Sequence, residues 1–243
     1  MSAPALRFSG ALRVAGRVLF DRIELTAPAG HWTCLLGPSG IGKSTVLHGF
    51  AGLAETDGAA MAADGHPLPG RVALMAQSDM LLPWLSIGAN VTLGDRLRGT
   101  RTDADRAAQV LRDVGLADLA QRKPRALSGG QRQRAALARV LYEDRPVVLL
   151  DEPFSALDVA TRTAMQALAA RELAGRTVLH VTHDPAEAAR LGQQILIMTR
   201  AGITPAPPAA APIPRAPIPR APDAADTLTV TGALTRALLE TVP

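Results

Sequence analysis

Gly37-Pro38-Ser39-Gly40-Ile41-Gly42-Lys43-Ser44, with Thr45 behind it, follows the apolar run Trp32-Thr33-Cys34-Leu35-Leu36 and precedes a stretch of helical spacing that reaches about Gly52. Strand, glycine-rich loop and helix in that order form the setting in which backbone N–H groups turn toward the phosphates of a nucleotide. The glycines let the main chain approach the β- and γ-phosphates, Lys43 neutralises them, and the Ser44 hydroxyl ligates Mg²⁺. Lysine is scarce elsewhere: Lys43 and Lys123 are the only two, and arginine carries the remaining positive charge. A compact ammonium on a thin stem suits a tight wrap around phosphate better than a planar guanidinium does. The bland alternative, a glycine turn with no ligand, fits poorly with the flanking strand and helix.

Further along, four apolar residues, Val147–Leu150, end in Asp151-Glu152. At the carboxyl edge of a parallel sheet two adjacent acids can divide the work. Asp151 would hold Mg²⁺ through water, and Glu152 would polarise a water in line with the γ-phosphate. Taken alone, the pair reads more readily as a solvated loop start, and the phosphate loop upstream reverses that preference. Gln77 closes a strand at Arg71–Ala76, where its amide could reach Mg²⁺ or the attacking water, or could be an exposed loop amide. His183 ends the strand Val178–Thr182, placed to hydrogen-bond a γ-phosphate or simply to precede the cap Asp184. His31, His48, His66 and His180 have no metal-ligand spacing and read as structural or exposed.

Between these parts lies Leu127-Ser128-Gly129-Gly130-Gln131, opening a helix through Arg132–Leu141. A serine and two glycines at a helix start present N–H groups to an anion. Because the chain already carries its own phosphate loop, this second anion site is expected to serve a nucleotide held by another subunit. Ser155-Ala156-Leu157-Asp158 is either a plain turn or an acid-bearing loop that touches a neighbouring subunit.

The chain has 243 residues, 47% apolar and 3% aromatic, enough for one domain with extensions. A net charge of +4 raises the question of nucleic acid, but there is no run of five basic residues and too few aromatics for base stacking. A mildly basic surface with no nucleic-acid partner is therefore expected. The lone cysteine, Cys34, excludes an internal disulfide and reads as a buried strand residue. With no N-terminal signal pattern and no apolar run of about 18 residues, the chain is expected to stay cytoplasmic and to meet membranes only by docking.

An α/β fold is predicted over residues 1–200, beginning with antiparallel strands before Gly30 and a helical lobe at about 78–135. Helix returns at Thr163–Ala174 and strand at Thr177–Thr182. Asp184-Pro185-Ala186-Glu187 then reads as a helix start with Glu187 reaching back to the cap. Gln194–Met198 is expected as the last strand. Residues 201–243 are rich in proline and alanine, with Ala-Pro-Ile-Pro-Arg in tandem at 211–215 and 216–220, and are expected to be a stiff linker with a short tail helix at Leu228–Leu239.

Taken together, Gly37–Ser44, Gln77, Leu127–Gln131, Val147–Glu152, Ser155–Asp158 and His183 resemble, in order and spacing, the ATP-binding subunit of an ATP-binding-cassette transporter, over about Leu6 to Arg200. The resemblance implies a P-loop ATPase core with an antiparallel β subdomain and a helical subdomain. It implies a Mg²⁺-dependent ATPase in which two such subunits, expected as a homodimer, sandwich two ATP molecules head to tail. Ser128, Gly129, Gly130, Gln131 and Asp158 of one subunit would complete the site held by Gly37–Thr45, Asp151, Glu152, His183 and Gln77 of the other. It also implies membrane permease subunits, a periplasmic solute-binding protein indirectly, and a peripheral place on the cytoplasmic face of the inner membrane.

The segment Gln77–Leu85 with Asn90-Val91 is similar to importers of nitrate, sulfonates, taurine and thiamine-precursor pyrimidines, and Glu143-Asp144-Arg145-Pro146 to hydroxymethylpyrimidine importers. Exporter or lipid-transport ATPases share the same motifs. Soluble cassettes acting on nucleic acid or ribosomes usually carry two cassettes or an inserted coiled coil, neither of which is present. One departure stands out: relatives place an adenine-stacking aromatic just before the Leu19 strand, and residues 13–18 contain none.

Overall fold

The computed structural model describes residues 3–14, 16–54, 59–207 and 217–240, which fall into two compact units. The first comprises residues 1–72, 145–152 and 174–243, and the second residues 73–144 and 153–173. The first tandem repeat, at 211–215, lies outside the described residues.

In the first unit, β1 (Leu6–Val14) pairs antiparallel with β2 (Arg17–Ala27) on one side and β4 (Ala59–Ala62) on the other. Leu6 sits opposite Ala27 and Phe8 opposite Leu25, so alternate residues on each strand face the same buried side. The second sheet contains β3 (Trp32–Leu36), β6 (Val147–Asp151), β7 (Thr177–Thr182), β8 (Gln194–Thr199) and β9 (Gly202–Pro205). Within it the order β6-β7-β3-β8 is parallel, and β9 adds antiparallel to β8. Every residue of β3, β6 and β7 is buried, which is why they read as mainly apolar rather than alternating segments, with Thr33 and His180 among the buried polar residues. Cys34 belongs to this core, and burial pushes its thiol pKa far up, so it stays protonated.

Helix α1 (Lys43–Phe50) packs against β1 and β4 of the first sheet and against β6 and β7 of the second. Its last residue, Phe50, meets Phe8 edge to face with ring centroids 6.1 Å apart. Helix α7 (Pro185–Leu191) rests on β3 and β7, and α8 (Ala225–Leu239) covers α7. The tail thus differs from the linker the sequence suggests. It begins with a sheet strand, β9, and its helix buries Thr227, Val230, Ala233 and Leu234.

The second unit starts on β5 (Val72–Met75), whose first residue belongs to the first unit. It continues through α2 (Ile87–Val91), α3 (Leu93–Arg98), α4 (Ala104–Asp113), α5 (Gly129–Glu143) and α6 (Val159–Glu172). The expected boundary at Ala135 falls inside α5, a continuous helix that ends only where Asp144 turns left-handed at φ 51°. Helix α6, read from sequence as part of the core, also belongs to this unit. Its interior is pinned by polar groups. Fully buried Asn90 accepts from Leu82 N–H at 2.7 Å and donates to Leu82 O and Ser86 O, while Arg139 donates to Asp79 O and Met80 O. These bonds hold the Leu81–Leu85 segment in a fixed shape without regular secondary structure. Among the described residues no helix is long and apolar enough to cross a membrane.

Phe50→Ala removes the ring joining α1 to β1 and is expected to lower unfolding free energy by about 3–5 kcal/mol in urea titrations. A loss below about 1 kcal/mol would show that α1 does not depend on this contact.

Candidate functional site: a phosphate loop and two carboxylates

The loop after β3 is shaped by steric necessity. A Cβ on Gly37 would lie 2.5 Å from Met198 O, so the loop passes against the backbone of β8 and only glycine fits. Gly42 occupies the N-cap of α1 at φ 111° and provides no side-chain cap. The first-turn N–H groups of α1 therefore have no capping side chain competing with an anion. Lys43 is buried, and its Nζ donates to Gly37 O and Pro38 O at 2.8 Å each. Burial draws its pKa down, against the upward pull of Glu152 and Asp151.

Asp151, the last residue of β6, is buried; burial raises its pKa and a hydrogen bond with the Ser44 side chain lowers it. Its Oδ1 has no hydrogen-bond partner. A buried carboxylate oxygen left without a donor beside a serine hydroxyl is the donor set a hard divalent cation takes, with phosphate and water supplying the other ligands. Among the described residues there is no cluster of three or more His, Cys, Asp or Glu that could hold a metal ion.

Glu152 adopts φ 48°, a left-handed conformation unusual for glutamate, while its N–H donates to Val181 O at 2.9 Å. That turn aims its carboxylate at the end of β7, where Oε1 lies 2.9 Å from His183 Nδ1. The side chain of His183 is half exposed and that of Glu152 mostly buried. The first unit thus gathers Gly37–Thr45, Asp151, Glu152 and His183 at one sheet edge.

In the second unit Ser128 caps α5. Its Oγ accepts from Gln131 N–H at 3.2 Å and its N–H donates to Gln131 Oε1 at 2.8 Å, a reciprocal capping box. The Gln131 side chain is therefore used in shaping the turn, and the glycines between are left to present their N–H groups. A Cβ on Gly130 would come within 3.2 Å of Ala156 O, so the turn abuts the 155–158 loop. Asp158 caps α6 by accepting from Thr161 N–H, and backbone hydrogen bonds hold its pKa down. Gln77 is exposed beyond β5.

Two residues escape sequence reading. Gln133, buried on α5, clamps the 155–158 loop by accepting from Ala156 N–H at 3.0 Å and donating to Ser155 Oγ. Glu187 also bonds to the strand that precedes α7. Its Oε2 accepts from Thr182 Oγ1 at 2.8 Å, and Thr182 Oγ1 in turn accepts from Asp184 N–H. Nothing in the sequence around Glu187 announces this bond to β7, because the partner belongs to the strand it packs on.

Residues 20–155 match the family described as ABC transporter. The chain is 48% identical over 190 residues to an aliphatic sulfonates import ATP-binding protein of Rhodococcus jostii, covering 77% of this chain and 75% of the relative. Its identity to the protein of the same description from Delftia acidovorans is 45% over 188 residues, covering 75% and 74%. Among solved structures it is similar to the dimeric ATP-binding cassette MJ0796 in a post-hydrolysis state bound to ADP and Pi. The TM-score is 0.73 at 26% identity, over 82% of this chain and 96% of that one.

Gly37→Ala is expected to leave circular dichroism unchanged and to weaken nucleoside triphosphate binding at least about tenfold, or 1.4 kcal/mol. Equal affinity in a binding titration would mean that the loop need not lie against β8.

Proposed function

The chain belongs to the ABC transporter family, and from that premise we propose that it is the ATP-hydrolysing subunit of an importer for a small organic anion of the aliphatic sulfonate class. ATP is its substrate. The phosphates lie in the Gly37–Ser44 loop, with Lys43 against the β- and γ-phosphates and Thr45 continuing the first turn of α1. Ser44 and Asp151 would hold Mg²⁺, with Gln77 assisting, and the ion would supply positive charge against the phosphate oxygens. Supporting that assignment is the buried Asp151 Oδ1, for which the protein provides no donor.

Glu152 takes a proton from the water whose oxygen attacks the γ-phosphorus, as the bond from that phosphorus to the β-bridging oxygen breaks. His183 orients the Glu152 carboxylate and contacts the γ-phosphate. The observation that carries this reading is the 2.9 Å contact between Glu152 and His183 at the edge where Lys43 and Asp151 also lie. Ser128, Gly129, Gly130 and Gln131, with Asp158, come from a second copy and close the site over the γ-phosphate. On the base side, β2 offers exposed Val18 and Leu19, while Phe20 is buried in the core, so the base meets aliphatic rather than aromatic surface.

Trp84 and Met80 are 66% and 63% exposed on the segment shaped by Asn90 and Arg139, a surface suited to short helices of permease subunits. Through them the subunit sits peripherally on the cytoplasmic face of the membrane and answers indirectly to a periplasmic solute-binding protein. The Glu143–Pro146 phrase has local duties instead: Glu143 pairs with Arg98 at 2.9 Å, Asp144 ends α5, and Arg145 donates to Gly70 O.

Glu152→Gln keeps shape and hydrogen bonding but removes the base. It is expected to lower ATP turnover by about 10²–10⁴-fold while ATP still binds and the dimer persists in size-exclusion chromatography. Wild-type turnover in that variant would take Glu152 out of the role of base.

A further inference from the structure

The C-terminal segment is anchored by one buried arginine. Arg220 is 9% exposed, and its guanidinium donates to Ala189 O at 2.8 Å and Gly192 O at 2.9 Å. Its own N–H donates to Arg190 O, and its carbonyl accepts from Arg190 Nε at 3.0 Å. These contacts fall on the last turn of α7, where helix carbonyls lack intrahelical donors and a positive charge is favoured by the helix dipole.

Helix α7 has seven residues, far below the length at which a helix holds itself together, so its position depends on what grips its ends and faces. At the N-terminus, Asp184 accepts from Ala186 N–H. In the middle, Glu187 reaches Thr182 Oγ1, and Thr182 fixes Asp184 N–H. At the C-terminus the grip is Arg220, with α8 packed over the helix beyond it. His183 lies between Thr182 and Asp184, at the center of this chain of bonds, and presents its ring to Glu152.

We propose that Arg220 is a positioning residue for hydrolysis: it tethers the C-terminal segment to α7 and thereby fixes the loop that holds His183 against Glu152. The tail is then a brace for the catalytic edge rather than a spacer. Without the guanidinium, two buried carbonyls lose their donors, the last turn of α7 loosens, and the Glu187–Thr182–Asp184 relay no longer sets the His183 ring. Binding of ATP, which draws on the Gly37–Ser44 loop, is left intact. The inference rests on the role of His183 given above.

The test uses the full-length chain and steady-state Mg·ATP hydrolysis. Arg220→Met, which keeps the aliphatic stem, is expected to lower kcat about tenfold with KM within about twofold of wild type, and Arg220→Lys to recover part of the loss. Placed on His183→Ala, Arg220→Met is expected to add less than about twofold, because its effect runs through the missing ring. Unchanged kcat in Arg220→Met, or a full tenfold further loss on His183→Ala, overturns the positioning role. Should Arg220→Met fail to fold, Thr182→Val cuts the same relay with Arg220 in place and is expected to give the same loss of kcat at constant KM; wild-type kcat there overturns the proposal. Wild-type kcat in His183→Ala instead removes His183 from the site, an outcome distinct from failure at Arg220 alone.

Discussion

Lys43 is held 2.8 Å from two carbonyls of its own loop, in a place where burial disfavours its charge and the carboxylates of Asp151 and Glu152 support it. That balance constrains the rest of the first unit. A buried ammonium needs oxygen around it, and two adjacent carboxylates need positive charge and donors nearby. A parallel sheet with β3 and β6 flanking β7 brings both to one edge, since Trp32 aligns with Val178 and Val147 with Thr177 across the ladder. On the proposed reading, a triphosphate with its cation would complete the charge pattern at that edge, where ligands of such sheets bind.

The second unit is built around a different requirement, the presentation of main-chain donors. The capping box between Ser128 and Gln131 fixes the start of α5, and Gln133 fixes the neighbouring loop, so the two glycines stand on a rigid support. A turn stabilised this fully by its own residues is ready-made for an anion arriving from outside. On the proposed reading, that anion is the γ-phosphate of ATP held by another copy, and closure of the pair is what couples nucleotide to transport.

The family, and the placement of the glycine-rich loop and the Asp151-Glu152 pair at strand ends, were legible because their pattern is local: glycines, lysine and acids at fixed spacing beside apolar strands. The fully buried strands β3, β6 and β7 were equally legible, since most of their residues are apolar and the few polar ones, such as Thr33 and His180, do not set up an alternating pattern. What depended on distant partners was not. Glu187 has the spacing of a capping glutamate, and its spacing gives no sign that one carboxylate oxygen also accepts from the hydroxyl of Thr182 on the strand beneath. The tail helix expected at Leu228–Leu239 is present as α8, but the proline-rich composition concealed β9 and the packing of α8 on α7, because a strand that pairs with one edge and a helix that covers α7 bury few side chains each. The left-handed φ of Glu152 has no sequence signature at all, and it is the feature that turns that carboxylate toward His183.

The central claim is that each active site is assembled from two copies of the chain, and subunit mixing tests it directly. A Lys43→Ala chain lacks the phosphate grip and a Ser128→Arg chain blocks the capped turn, so each alone should be inactive. Mixed, they form a pair in which intact Lys43 faces intact Ser128 at one of the two sites. The account predicts that ATP hydrolysis returns on mixing; a mixture as silent as its components, or full activity in Ser128→Arg alone, would contradict it.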